Sequence, residues 1–439
     1  MKLAWNRVDR PRFLLARLPL FFLFTLPTIA AAQGTAIDPV QARDAFAEAQ
    51  HISEKDAGKL WGKPLYGPML FVVPATREVI ANQSDTNGVL HKQGKVYVGY
   101  LPKDVIIANT ATAWSGIYWT MVQWPLPKYS ERREKLLAHE LFHRIQPDLH
   151  LQAANHDNPQ LDSLDGRYWL QLEWRGLAAA LTESGEAQSR SIQDALAFRA
   201  ERHRLFSGSG ESERTLELNE GLAEYTGLSA TSPDAASARW GMIIRLSHPD
   251  ADTFVRSFAY VSGPAYGLLL DERVAGWRLK ITQQSDLGLL LGSSVHLSSQ
   301  ESANQRSLQY GASGLRISET ERAAIADAGK ARYRALLVDG ATLTLPAAGK
   351  FSFGFDPSGL VPLPGVGTVY PTMQVSDAWG TLDVQEGALL ASDFNSVRVA
   401  APVDPSGAHI KGPGWTLTLL PEWHVVPSAK TGSFTLRKD

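Results

Sequence analysis

The chain of 439 residues contains no cysteine. That absence excludes disulfide bridges, thiolate catalysis, cysteine-ligated metals and a lipid-modified cysteine near the N-terminus. Any metal must be held by histidine and carboxylate side chains. Charge imbalance is also missing: 43 Lys and Arg stand against 45 Asp and Glu, a formal net charge of -2. Composition therefore gives no reason to expect nucleic acid or an anionic membrane as a partner. Long apolar runs are absent except near the N-terminus. There Lys2, Arg7, Arg10, Arg12 and Arg17 precede LPLFFLFTLPTIAAA (Leu18 to Ala32), and Ala30-Ala31-Ala32 offers a small-x-small cleavage site before Gln33. The run is short and broken by Pro27, whereas a membrane span needs about 20 apolar residues. Residues 1–32 read as a secretory signal peptide. The expectation is an exported protein, periplasmic or secreted, with no stable membrane span after cleavage.

What is present is the profile of a globular protein, 44% hydrophobic and 20% charged. Asp38 and Pro39 suit the cap and first position of a helix running to about Gly62, with Ser53 as a second possible cap. Between Pro68 and Pro127 the texture changes to short strands, MLFVVP, KVYVGYLP and SGIYWTMVQWP, punctuated by turn signals such as Asn87-Gly88. Ser130 is a candidate N-cap for the next helix, and Glu131 and Glu134 complement its dipole. Leu136, Leu137, Leu141, Phe142 and Ile145 give that helix an apolar surface, and Pro147 stops it. Further helices are expected over Arg167 to Glu183, Ser191 to Phe206 and Glu217 to Leu228, with FSGSGESERT as a polar loop before the last. The chain then stays mostly helical. Ser318 and Glu321 form a possible capping box ahead of a final helix that Gly340 ends. From Ala341 strands and turns alternate to the C-terminus, which predicts a β-sandwich over 341–439. The fold class is α+β: a small N-terminal sheet, a mainly helical region to residue 340, and the sandwich.

The helix over Leu136 to Gln146, LLAHELFHRIQ, carries the chemistry. Residues four apart share a helix face, so His139 and His143 can present two ring nitrogens to one ion. Glu140 lies one position on, beside the metal rather than bonded to it. It could take a proton from an attacking water and return it to a leaving amine. A catalytic zinc site needs a third protein ligand. The pattern H-E-x-x-H-x-x-G-x-x-H is not met, because Gln146 and Leu149 stand where its Gly and third His should be. His150 and His156 lie beyond Pro147, off the helix, so a carboxylate is the better candidate. Glu220, in LNEGLAEY, and Glu173, on the nearer helix, compete for that place.

HELFH followed downstream by Asn219-Glu220-Gly221-x-Ala223 resembles the gluzincin metallopeptidases, which include thermolysin and the zinc aminopeptidases. The resemblance implies a zincin-like catalytic domain, Zn2+ as cofactor, a peptide or protein substrate, and Glu220 as third ligand beside His139 and His143. It further implies Glu140 as general base and Glu224, one turn after Glu220, as the support of a ligating imidazole. Tyr260-Val261-Ser262-Gly263 is similar to the Tyr-x-x-Gly of the aminopeptidases, which makes Tyr260 the candidate oxyanion donor, with Tyr266 behind it. The strand SGIYWTMVQWP sits where zincins have the sheet edge that receives an extended substrate, and it reads equally well as a buried aromatic strand. The chain departs from the pattern in three ways. The interval from His143 to Glu220 is far longer than in the best-known members and must hold extra helices. Arg144 stands where an uncharged residue is usual, and no Gly-x-Met-x-Asn precedes the motif. A non-catalytic binding protein on the same scaffold and a zinc hydrolase of non-peptide substrates are the alternatives.

Overall fold

Alternating side chains build the first layer. In the computed structural model, which describes residues 37–439 apart from 155, 250–251, 296–300, 348–350 and 356–358, strand β1 (Met69–Val72) is buried at every position. Met69 and Phe71 enter the main core while Leu70 and Val72 enter a second one on the other side of the sheet, because successive strand residues point to opposite faces. β1 joins β2 (Glu78–Ala81), β3 (His91–Gln93), β4 (Val96–Tyr100), β5 (Thr110–Trp114) and β6 (Ile117–Gln123) in a six-stranded sheet of order β3-β4-β2-β1-β6-β5. The β1–β6 pair is parallel and the others antiparallel. This corrects one expectation. The strand SGIYWTMVQWP is β6, bonded on both sides, with Trp119 and Met121 fully buried, and the sheet edge beside it is β5. The signal peptide expected over 1–32 lies outside the described residues.

Helix α1 (Pro39–Asp56) starts as its sequence predicts: the Asp38 carboxylate accepts from Val40 N at 2.8 Å. It covers the sheet, with Phe46 stacked on Phe71 at 4.6 Å between ring centres. Ser53 is not a cap; it is buried within α1, where its hydroxyl accepts from Tyr66 N. Helix α2 (Ser130–Ile145) takes Ser130 as its first helical residue, with Tyr129 at the cap position.

Then follow α3 (Leu164–Thr182), α4 (Gly185–Leu205), α5 (Ser209–Leu216), a π-helical turn (Glu217–Gly221), α6 (Leu222–Thr231), α7 (Ala235–Ser247), α8 (Ala259–Arg273), α9 (Leu287–Gly292), α10 (Ala303–Ser307) and α11 (Ala312–Arg334). The expected polar loop FSGSGESERT is largely α5. Its Glu213 is drawn inside by Arg202 and His203, at 2.7 and 3.0 Å, which orders the segment. Ser318 is likewise no cap. α11 begins six residues earlier than that box, held by Ala312 and Leu315 against Tyr168, Trp169 and Leu172 of α3. Among the described residues no helix is long and apolar enough to cross a membrane.

The C-terminal strands form two sheets. One has seven strands, in spatial order Trp423–Pro427, Phe434–Lys438, Thr342–Pro346, Ser396–Ala400, Ala388–Ala391, Gly367–Tyr370 and Val361–Leu363; the other has five, His409–Gly412, Trp415–Leu419, Gly380–Val384, Met373–Asp377 and Ser352–Phe355. Leu343, Leu345, Val397 and Val399 of the first meet Val375, Leu382, Trp415 and Leu417 of the second in a separate core. The α+β class is as read from the sequence.

Candidate metal centre

Helix α2 turns Leu137, Ala138, Leu141, Phe142 and Ile145 into the main core. Its other side presents His139, Glu140 and His143 to a cleft of about 970 Å³, walled also by Asn109 to Ala113 of the β5 edge, by Glu220 and by Tyr260. The extra residue of the π turn divides the acidic side chains between two destinations. Glu213 and Glu217 point to the buried Arg202 and Arg199, whereas Glu220 and Glu224 face α2.

Glycines let these helices approach. A Cβ on Gly263 would sit 2.7 Å from the carbonyl carbon of Gly221, and one on Gly227 would sit 2.9 Å from the Lys135 carbonyl oxygen. Only bare backbones pack that closely.

The Nε2 atoms of His139 and His143 lie 3.2 Å apart, and Glu220 Oε2 is 3.4 Å from the first and 3.6 Å from the second. A tetrahedral ion with arms of about 2.0–2.2 Å holds neighbouring ligand atoms about 3.3–3.6 Å apart, so the spacing fits one ion. The tautomers fit as well. His139 Nδ1 faces Glu224 Oε2 at 3.3 Å, and His143 Nδ1 faces Gln146 Oε1 at 2.9 Å. Both partners are acceptors, so both Nδ1 atoms carry hydrogen and both Nε2 lone pairs face each other and the carboxylate. Such a cluster needs a positive charge at its centre. Burial pulls the His139 pKa down, but its hydrogen bonds to Glu220 and Glu224 reverse this and hold it up at about 10. The same field that retains a proton there favours a metal cation among the three atoms. His139, His143 and Glu220 are thus a buried group able to hold a metal ion.

Glu224 is pinned by two cations, Lys135 Nζ and Arg245 Nη1, each at 2.8 Å. Burial works to raise its pKa, and His139, Arg245 and Lys135 overcome that and lower it. Arg245 also donates to the Tyr260 carbonyl at 2.9 Å, tying α7 to α8. The Tyr260 ring stacks on His139, nearly parallel at 5.6 Å between centres, and its hydroxyl donates to Glu220 Oε2 at 2.7 Å. Glu140 is buried beside them, and its Oε2 has no hydrogen-bond partner among the described residues. Burial raises its pKa, only partly offset by the two histidines.

The remaining candidates lie elsewhere. Glu173 is wholly buried on Arg199, Arg202 and Tyr266, and the Tyr266 hydroxyl donates to it at 2.7 Å. Both belong to an internal ion cluster rather than the cleft. His150 lines a hollow of about 460 Å³ that shares Tyr118, His143, Gln146 and Ala153 with the cleft, and His156 is exposed. Arg144 points away from the site and donates to the Leu65 carbonyl at 2.8 Å, which explains how a charge is tolerated after the second histidine. The sequence reading missed Lys135, Gln146 and Arg245. Lys135 stands one turn before His139 and Gln146 three residues after His143, so their helical spacing was the available signal. Arg245, on a separate helix, left none.

Compared with protein-family models, curated proteins and solved structures, the chain matches none.

Proposed function

We propose that the protein is a zinc metallopeptidase of the gluzincin type that hydrolyses peptide bonds by attack of water. The observation supporting this reading is the convergence of ligand atoms from His139, His143 and Glu220 beside Glu140, a buried carboxylate whose Oε2 has no hydrogen-bond partner among the described residues. Zinc, when bound, supplies Lewis acidity that polarises the substrate carbonyl and acidifies water. Glu140, made more basic by burial, takes the proton of the attacking water and delivers it to the leaving amine. Tyr260, next to the oxygen of Glu220, donates its hydroxyl hydrogen to the developing oxyanion. Glu224 holds the His139 ring and its tautomer. The β5 edge opens into the cleft, and an extended peptide can add to it as a strand, which favours a peptide over a non-peptide substrate.

The test uses the purified chain: zinc content by elemental analysis, and cleavage of a broad peptide library by wild type and Glu140→Gln. Stoichiometric zinc in both, with cleavage lost only in the variant, is expected. Undiminished cleavage by Glu140→Gln would sink the mechanism. Bound zinc with no cleavage by wild type would favour a non-catalytic binding protein on the same scaffold.

A further inference from the structure

Gln146 is the residue that the metal motif leaves unexplained, and it is 2% exposed immediately after α2. The helix tightens there into a 3-10 turn, Gln146–Leu149, so Gln146 remains one turn from His143 although Pro147 follows. Its side chain bonds at both ends. Oε1 faces His143 Nδ1 at 2.9 Å, and Nε2 donates to Asn219 Oδ1 at 3.0 Å. The Asn219 amide in turn donates to Glu220 Oε1 at 3.2 Å.

These bonds have one polarity. A carboxylate only accepts, so Asn219 must give Glu220 its NH2 and turn its oxygen to Gln146. Gln146 must then give Asn219 its NH2 and turn its oxygen to His143. His143 Nδ1 is left as the donor, and its Nε2 lone pair is free on the metal side. Glu220 is fixed by the same chain, because Asn219 engages Oε1 while Oε2 faces the two imidazoles.

We infer that Gln146 is a positioning residue: it relays orientation from Glu220, through Asn219, to His143, and so sets the metal-binding tautomer of one ligand from the carboxylate of another. His139 differs, since it is oriented by the anion of Glu224. His143 is oriented by a neutral amide, which adds no charge to the centre. The inference rests on the metal-site reading given above.

The test compares wild type, Gln146→Leu and Gln146→Glu in the full chain. Zinc affinity is measured by chelator competition, and the His143 tautomer by ¹⁵N NMR of histidine-labelled protein. Gln146→Leu keeps the volume and loses both bonds, and about 10–100-fold weaker zinc binding is expected with a mixed His143 tautomer. Gln146→Glu keeps the acceptor for His143 and loses only the bond to Asn219, whose NH2 stays on Glu220, so the Nδ1–H tautomer and part of the affinity should return. Thermal melting of the metal-free proteins controls for folding. Zinc affinity within twofold of wild type together with an unchanged tautomer in Gln146→Leu overturns the inference, as does Gln146→Glu behaving no better than Gln146→Leu. A wild type that takes up no zinc removes the metal-site reading. The tautomer comparison then still decides whether Gln146 orients His143.

Discussion

Gly263→Ala tests the packing that brings Tyr260 to Glu220. In a helix, alanine is intrinsically favoured over glycine by about 1 kcal/mol. Where space allows, the exchange should therefore stabilise. At Gly263 space does not allow it: the new Cβ would lie 2.7 Å from the Gly221 carbonyl carbon and 2.9 Å from its oxygen. Carbon atoms rest at about 3.5 Å or more, and Gly221 Cα lies closer still to the new Cβ than the carbonyl carbon does, so the π turn and α8 must part by about 1 Å or more. The obstacle is backbone on both sides, and no side chain can rotate away. Overpacking of this kind costs about 1–3 kcal/mol, which outweighs the propensity gain. Separation of the two helices also stretches the 2.7 Å bond from Tyr260 to Glu220 and shifts the carboxylate against the two imidazoles. Gly241 of α7 is the control, because a Cβ there meets nothing within 4 Å. By urea unfolding, Gly263→Ala should be less stable than wild type by about 1–2 kcal/mol, with weaker zinc binding. Gly241→Ala should be unchanged or more stable by up to about 1 kcal/mol. If Gly263→Ala proves as stable as Gly241→Ala, the close crossing of these helices is wrong.

Two further outcomes are expected. Tyr260→Phe keeps the ring on His139 but removes the hydroxyl, so zinc content should hold while kcat falls about 10²–10³-fold; steady-state kinetics with an unchanged kcat would remove Tyr260 from the mechanism. Glu213→Ala takes one carboxylate from Arg202, which is wholly buried and shared with Glu173, and should cost about 3–5 kcal/mol at pH 7. Burial tends to raise the Glu213 pKa, but Arg202 and His203 more than reverse this, so its folded value lies below the ordinary 4.5. A depressed folded pKa contributes stability that is complete above the unfolded value and is lost as pH falls below it. Urea midpoints measured between pH 7 and pH 3 should fall more steeply below about pH 4.5 in wild type than in Glu213→Ala.

The C-terminal strands were legible because each residue states its own side. In Trp415–Leu419 the apolar Trp415, Leu417 and Leu419 are buried and Thr416 and Thr418 exposed, a period of two that needs no knowledge of the partner strand. α2 was equally plain, since its apolar face and its His-Glu-His face are separated by helical spacing alone. Boundaries were less so. α5 looked like a loop because its glycines and serines favour turns locally, and only the burial of Glu213 on Arg202 makes it a helix.

Composition and spacing alone specify which atoms are available for a metal. Without cysteine the donors had to be histidine and carboxylate, and the spacing of His139 and His143 put two of them on one face. The third donor and its surroundings come from the packing of distant elements. Glu173 and Glu220 are both buried glutamates on helices. Glu173 meets Arg199 and Arg202, whereas the π turn and the glycine crossings carry Glu220 to the histidines. Coordination depends on distances of a few ångströms between elements far apart in the chain, and those distances are set by packing, which no local pattern encodes.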